Sequence, residues 1–102
     1  MTQLEEIQTL RSVSTLLRPG GRFYLECRSI NDPLSREGEV ISPTERIAGH
    51  YRRFIVLDEL RDRLTNAGLE IEYEIEADNL AIHKAENPVV IRIIARKAIA
   101  GG

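Results

Sequence analysis

The chain of 102 residues has no tryptophan, one cysteine, one methionine and only five aromatic residues, three Tyr and two Phe. The lone Cys27 excludes an internal disulfide framework and a zinc site built from cysteines, and within a strand it reads as a small buried hydrophobe. No apolar run is long enough to cross a membrane and no signal peptide opens the chain, so neither a membrane partner nor export is expected and the cytoplasm is the expected location. Net charge is only −2, with 14 Lys and Arg interspersed among 16 Asp and Glu. Such a balance offers no sustained basic field for a phosphate backbone, and nucleic acid is not an expected partner. No Ser, His and acid arrangement points to a hydrolase. No spacing matches a zinc or calcium loop, so no metal is expected, and no segment repeats.

What is present begins with Leu16-Leu17-Arg18-Pro19-Gly20-Gly21. Proline cannot continue a helix for want of an N–H, and the glycines allow the positive φ that turns the backbone into a strand. Before this corner, Leu4, Ile7, Leu10, Val13 and Leu17 recur at three- and four-residue steps, predicting a helix over 3–17 with Thr2 as its cap. Glu5, Glu6, Gln8, Arg11 and Ser12 fall on the face expected to meet water. A second helix is expected from about Leu57 to Ala67, with Leu57, Leu60 and Leu64 inward and Gly68 as terminator. One domain fits 1–102, with 98–102 as a frayed tail. At this size roughly 60–70% of the unfolded chain's surface is hidden on folding, so a missing neighbour would matter.

Strands are expected at 22–28, 69–76 and 89–97. In 69–76, Leu69, Ile71, Tyr73 and Ile75 alternate with Glu70, Glu72, Glu74 and Glu76, placing four carboxylates on one face that must see solvent or cations. Arg92 and Arg96 on the last strand supply cations, each exposed cross-strand pair adding about 0.2–1 kcal/mol. Carboxylates two apart on a flat strand do not converge on one ion, so the row reads as a solvated ladder.

The long connection 29–53 leaves the carboxyl end of strand 22–28, where ligands of open α/β sheets bind. Ser29 to Pro33 reads as a turn and Arg36 to Glu39 as a flexible tip. Ser42-Pro43-Thr44-Glu45 reads as the start of a helical turn. Gly49-His50-Tyr51-Arg52-Arg53-Phe54 is its densest functional cluster. His50 is a candidate catalytic base, and Arg28, Tyr51, Arg52 and Arg53 are candidate substrate-binding residues, the two adjacent arginines forming a clamp for a phosphate or carboxylate. The competing reading has Phe54 and Ile55 anchoring the loop, Tyr51 packing, and the arginines bound to loop acids such as Asp32 or Glu45. His83, with Asn79 and Lys84, reads as a solvated loop residue.

In order along the chain, the Leu-Arg-Pro-Gly-Gly corner, Phe54-Ile55 followed by Asp58-Glu59-Leu60, and Ala67-Gly68-Leu69 resemble the C-terminal half of class I S-adenosylmethionine-dependent methyltransferases. The resemblance spans roughly Leu4 to Lys97, and some bacterial members carry a run like His50-Tyr51-Arg52-Arg53-Phe54. It implies an α/β fold, a two-layer partial Rossmann-like half: a three-stranded mixed sheet in the order 22–28, 89–97, 69–76, with two helices on one face. The family's Gly-x-Gly-x-Gly loop after a first strand is absent, as is the acid ending a second. The resemblance therefore implies S-adenosylmethionine as cofactor of the complete enzyme, with no cofactor-binding residue in this chain and no tight binding to it. Two functions stay open. The chain is the substrate-side part of a methyltransferase for an anionic small molecule or glycan, inactive alone, or it is a non-enzymatic interaction or dimerisation module. The partners expected are the missing N-terminal half or a second copy through the open edge of strand 22–28.

Overall fold

The computed structural model describes residues 2–99. Its elements run α1 (Gln3–Leu16), β1 (Arg22–Arg28), a 3-10 turn (Pro33–Arg36), β2 (Glu39–Ser42), β3 (Glu45–Ile47), β4 (Tyr51–Arg53), α2 (Leu57–Asn66), β5 (Leu69–Ala77) and β6 (Val90–Lys97). The three long strands lie side by side in the order β1-β6-β5, with β6 antiparallel to both neighbours. This is the expected spatial order. The sheet is nonetheless antiparallel at every pairing rather than mixed, because the two strands that run the same way, β1 and β5, never touch. A second three-stranded sheet, β2-β3-β4, is built entirely from the segment read as a loop.

The corner works through both glycines, by different means. Gly20 takes φ +80, while Gly21 donates to the Arg18 carbonyl at 2.7 Å. A Cβ on Gly21 would stand 2.8 Å from that same oxygen, so the tightness of the turn requires glycine. Gly68 likewise takes φ +80 after α2.

Both helices cover one face of the long sheet. Leu10 of α1 and Leu60 and Leu64 of α2 join Leu69, Ile91, Ile93 and Ala95 in one buried cluster, with Phe23, Leu25, Cys27 and Ile71 packed at its border. Each fully buried aliphatic side chain contributes about 1.5–3 kcal/mol. Thr2 caps α1 as expected, and it does so within a capping box that the sequence reading did not name: the Thr2 hydroxyl accepts from Glu5 N–H and the Glu5 carboxylate from Thr2 N–H. The stripe of α1 departs from expectation. Leu4 is 63% exposed, while Glu6, assigned to the water-facing side, is buried. Its burial follows from two arginines described below, which hydrophobic periodicity does not register.

Strand β5 also departs from its sequence pattern. Pairing runs Glu70 with Arg96 and Ile71 with Ala95, then Tyr73 with Ile94, so Glu72 is an extra residue in a bulge. Beyond it the parity reverses. Tyr73 and Ile75 turn to the open face, and Glu74 and Glu76 turn to the helix side. The ladder of four glutamates is therefore two pairs. Glu70 and Glu72 meet Arg96 on the open face, where Glu72 also meets Arg22. Glu74 instead takes a two-oxygen grip from Arg61 of α2. At the chain's end, Ala98 N–H reaches the Gly68 carbonyl at 3.3 Å, so the expected tail begins with a bonded residue; 100–102 lie outside the described residues.

Candidate functional site

The segment between β1 and α2 leaves the sheet and returns to the same point. Ile55 comes back alongside Ser29 as a parallel bridge: its N–H donates to the Arg28 carbonyl at 2.8 Å and its carbonyl accepts from Ile30 N–H at 2.9 Å. Buried polar groups fasten the exit. Asp32, 2% exposed, accepts from Val89 N–H at 2.9 Å and Leu34 N–H at 3.3 Å, with Arg28 at 3.5 Å. Ser29, fully buried, donates to Glu76 at 2.5 Å and accepts from Asn31 N–H at 2.9 Å. The expected turn at 29–33 forms, closed by Asp32 N–H on the Ser29 carbonyl.

Beyond it, the expected tip is the end of the 3-10 turn at Arg36 and a bend at 37–38 that enters β2, and the expected helical turn is instead the hairpin turn Pro43-Thr44. Glu39 lies in β2, and 42–45 joins β2 to β3, with Ser42 and Glu45 as a cross-strand pair. The Ser42 hydroxyl donates to Glu45 at 2.8 Å, holding the Glu45 carboxyl below its usual range, with the Tyr51 hydroxyl a second cause. Arg46, which the sequence reading passed over, is the staple: its guanidinium donates to the carbonyls of Ser35, Ser42, Pro43 and Glu45. A lone arginine amid loop residues carries no pattern by which to find it.

The candidate site residues separate on this small sheet. Register pairs Ile47 with Tyr51, Arg46 with Arg52 and Glu45 with Arg53. Side chains alternate along a strand, so Tyr51 and Arg53 share one face and Arg52 takes the other. Arg52 and Arg53 therefore do not form a common clamp on one anion, which corrects that expectation. Arg53 instead turns inward to Glu6, which also accepts from Arg63 of α2 at 3.0 Å. All three side chains are largely buried. Arg63 has a further carboxylate in Glu59 at 3.6 Å. Arg28 is held by Asp32, and Tyr51 donates to Glu45 at 2.8 Å. Loss of solvation, then that hydrogen bond, raises the Tyr51 phenol above its ordinary value. Arg52 is the least committed: its Nε donates to His50 Nε2 at 3.2 Å and Glu37 lies at 3.9 Å, leaving a buried Nη1 without a hydrogen bond. His50 is exposed beside it. His83, in the distant turn between β5 and β6, exchanges backbone hydrogen bonds with Glu86.

Between α1 and β1 lies a cavity of about 340 Å³ with apolar walls that include Leu10, Phe23 and Leu25 and a polar end at Glu6, Thr9, Tyr51 and Arg53. Glu6 Oε1 is buried there without a hydrogen-bond partner. Cys27 lines the same cavity. Burial foremost, then the Glu6 charge, pushes its thiol up to about 12, so it stays protonated and unreactive near neutrality.

No family model matches the chain, and no curated protein does. A search of solved structures finds the crystal structure of a SAM-dependent methyltransferase from Methanosarcina mazei, with a TM-score of 0.73 and 21% sequence identity. The fold is methyltransferase-like. The match covers 94% of this chain and 52% of that one, so the chain spans about half the length of the structure it matches. The described residues do not fit a cradle for S-adenosylmethionine. Between β4 and α2 the chain contains no glycine, the cap Val56 offers no side-chain hydrogen bond, and Glu6 has its Oε2 taken by two arginines and its Oε1 buried. Among the described residues no helix is long and apolar enough to cross a membrane.

Proposed function

We propose that this chain is the C-terminal, substrate-side part of a SAM-dependent methyltransferase that acts on a small molecule or glycan. One observation carries the reading: a superposition over nearly all of this chain engages only about half of a methyltransferase. The cofactor-binding half is then supplied by other residues, and the isolated chain is inactive. The 30–54 excursion lies at the carboxyl end of β1, the ligand end of an α/β sheet. Within it Arg52, whose guanidinium is incompletely satisfied, is the residue for an anionic group of the acceptor, and His50 Nε2, released as Arg52 turns to that group, takes the proton freed when the acceptor is methylated. Arg28, held by Asp32 at the start of the excursion, and Tyr51, on the other face of β4, stay secondary candidates for the acceptor. Arg53, neutralised by Glu6, fastens the small sheet to α1. The proposed setting is the cytoplasm, where the single thiol of Cys27 is at home.

Titration of the isolated chain with S-adenosylmethionine by calorimetry tests this. The expected result is no tight, stoichiometric binding; a saturable one-to-one isotherm at micromolar concentration contradicts the division of labour.

A second reading, that the chain is an interaction module derived from half of such a fold, is favoured by one specific feature. Among the described residues β1 pairs with β6 on one side only, leaving backbone groups of its other edge without a strand.

A further inference from the structure

Hydrogen bonding fixes which groups of β1 are free. Ser29 N–H reaches Val89 and the Gly21 carbonyl accepts from Lys97, so odd-numbered residues of β1 turn their backbone groups toward β6. In an antiparallel strand the alternate residues point the other way. The N–H and C=O groups of Arg22, Tyr24 and Glu26 therefore face the open edge. Arg28 would follow, but Ile55 N–H already occupies its carbonyl. The usable edge is thus a short run centred on Tyr24, which is 56% exposed.

That run is self-complementary. We infer that a second copy of this chain pairs antiparallel with β1 about a two-fold axis at Tyr24, joining two three-stranded sheets into one of six strands. The inference rests on the second reading above and names its partner. In this register Arg22 faces the partner's Glu26, Tyr24 faces the partner's Tyr24, and Glu26 faces the partner's Arg22. Each of these positions exchanges two backbone hydrogen bonds. Within one protomer Arg22 already meets Glu72 at 3.0 Å and Glu26 meets Arg92 at 3.1 Å. Across the axis the charges then alternate: Glu72, Arg22, the partner's Glu26, the partner's Arg92. On the helix side Phe23 meets the partner's Leu25, closing the flank of the cavity that both residues line.

Registers shifted toward Arg28 are worse. Moving the axis to Leu25 sets Arg22 against the partner's Arg28 and calls on the carbonyl that Ile55 occupies. Moving it to Glu26 sets two glutamates face to face.

Sedimentation equilibrium of the 102-residue chain tests the pairing, with far-UV circular dichroism confirming that each variant is folded. The chain is expected to be a dimer. Tyr24→Pro removes an N–H that points only at the open edge, leaves the bonds to β6 intact, and is expected to give a folded monomer. Arg22→Glu is expected to weaken the dimer on the order of tenfold, and adding Glu26→Arg to recover part of that loss, since the pair across the axis returns while the pairings with Glu72 and Arg92 within each protomer turn repulsive. Should Tyr24→Pro fail to fold, the swap decides alone. A wild-type chain that stays monomeric at millimolar concentration, a folded Tyr24→Pro variant that still dimerises, or a swap that recovers none of the affinity lost in Arg22→Glu overturns the inference. None of these results bears on whether the chain binds S-adenosylmethionine, so the half-enzyme reading stands or falls separately.

Discussion

Replacing Glu6 with alanine removes, among the described residues, the only carboxylate that Arg53 touches and one of two that Arg63 touches. The Arg53 and Arg63 side chains are 7% and 11% exposed, so the variant leaves two like charges close together with little water to screen them. Removing one partner from a buried ion pair costs about 3–5 kcal/mol, against a total stability of about 5–15 kcal/mol for a typical domain. With a urea slope of about 1.5 kcal/mol per M, the unfolding midpoint falls by about 2–3 M. Circular dichroism at the helix band reports this, since the chain has no tryptophan to follow. Gln8→Ala, on the exposed side of the same helix, is the control and is expected to stay within about 0.5 kcal/mol. Replacing Glu6 by Ala and Arg53 by Met together removes one stranded cation and is expected to recover part of the loss. A cost below about 1 kcal/mol for Glu6→Ala, or a double variant no more stable than the single one, would refute the claim that this cluster fastens α1 to β4.

Other perturbations separate buried from exposed roles. Ser29→Ala deprives Glu76 of its donor and is expected to cost about 1.5–3 kcal/mol in the same urea assay. Leu60→Ala, at 2% exposure, is expected to cost about 2–5 kcal/mol, while Leu16→Ala, at 84%, stays within about 0.5 kcal/mol. Because the Cys27 thiol is raised from 9.0 to about 12 in the folded chain, its contribution to stability is level below pH 9. The unfolded chain ionises first as pH rises, so that contribution falls progressively between pH 9 and 12, and Cys27→Ala is expected to flatten this part of the stability curve. Thiol labelling at pH 8 is correspondingly slow until urea unfolds the chain.

The parts legible in the sequence are those governed by local chemistry. The Thr2 cap, the Pro19-Gly20-Gly21 corner and Gly68 set the ends of elements through backbone groups within a few residues, and the structure shows them in place. The unbroken alternation of 69–76 was legible but incomplete. A bulge at Glu72 is decided by what the partner strand and α2 offer, here Arg96 and Arg61, and no property of the segment itself marks it. The burial of Glu6 had the same origin, in arginines 47 and 57 residues away. For the candidate site, the sequence picked out the cluster 50–53 but not its geometry. Adjacent arginines look like one clamp in a loop and become opposed faces once residues 51–53 form a strand. The strands β2 to β4 are three or four residues long, and their pairing with one another, with Arg46 holding the carbonyls, stabilises them more than any single-strand pattern does.

The central claim is that these residues form the β1-β6-β5 half of a methyltransferase-like sheet, and interstrand Hα–Hα Overhauser effects measure that arrangement most directly. Non-hydrogen-bonded antiparallel pairs approach closest at Cα. Strong cross-peaks are expected for Tyr24 with Ile94 and Glu26 with Arg92, and, on the other side of β6, for Ile93 with Glu74. Cross-peaks linking β1 directly to β5, or Ile93 facing Tyr73 in place of Glu74, would contradict the order and the bulge, and the likeness to a methyltransferase would lose its basis.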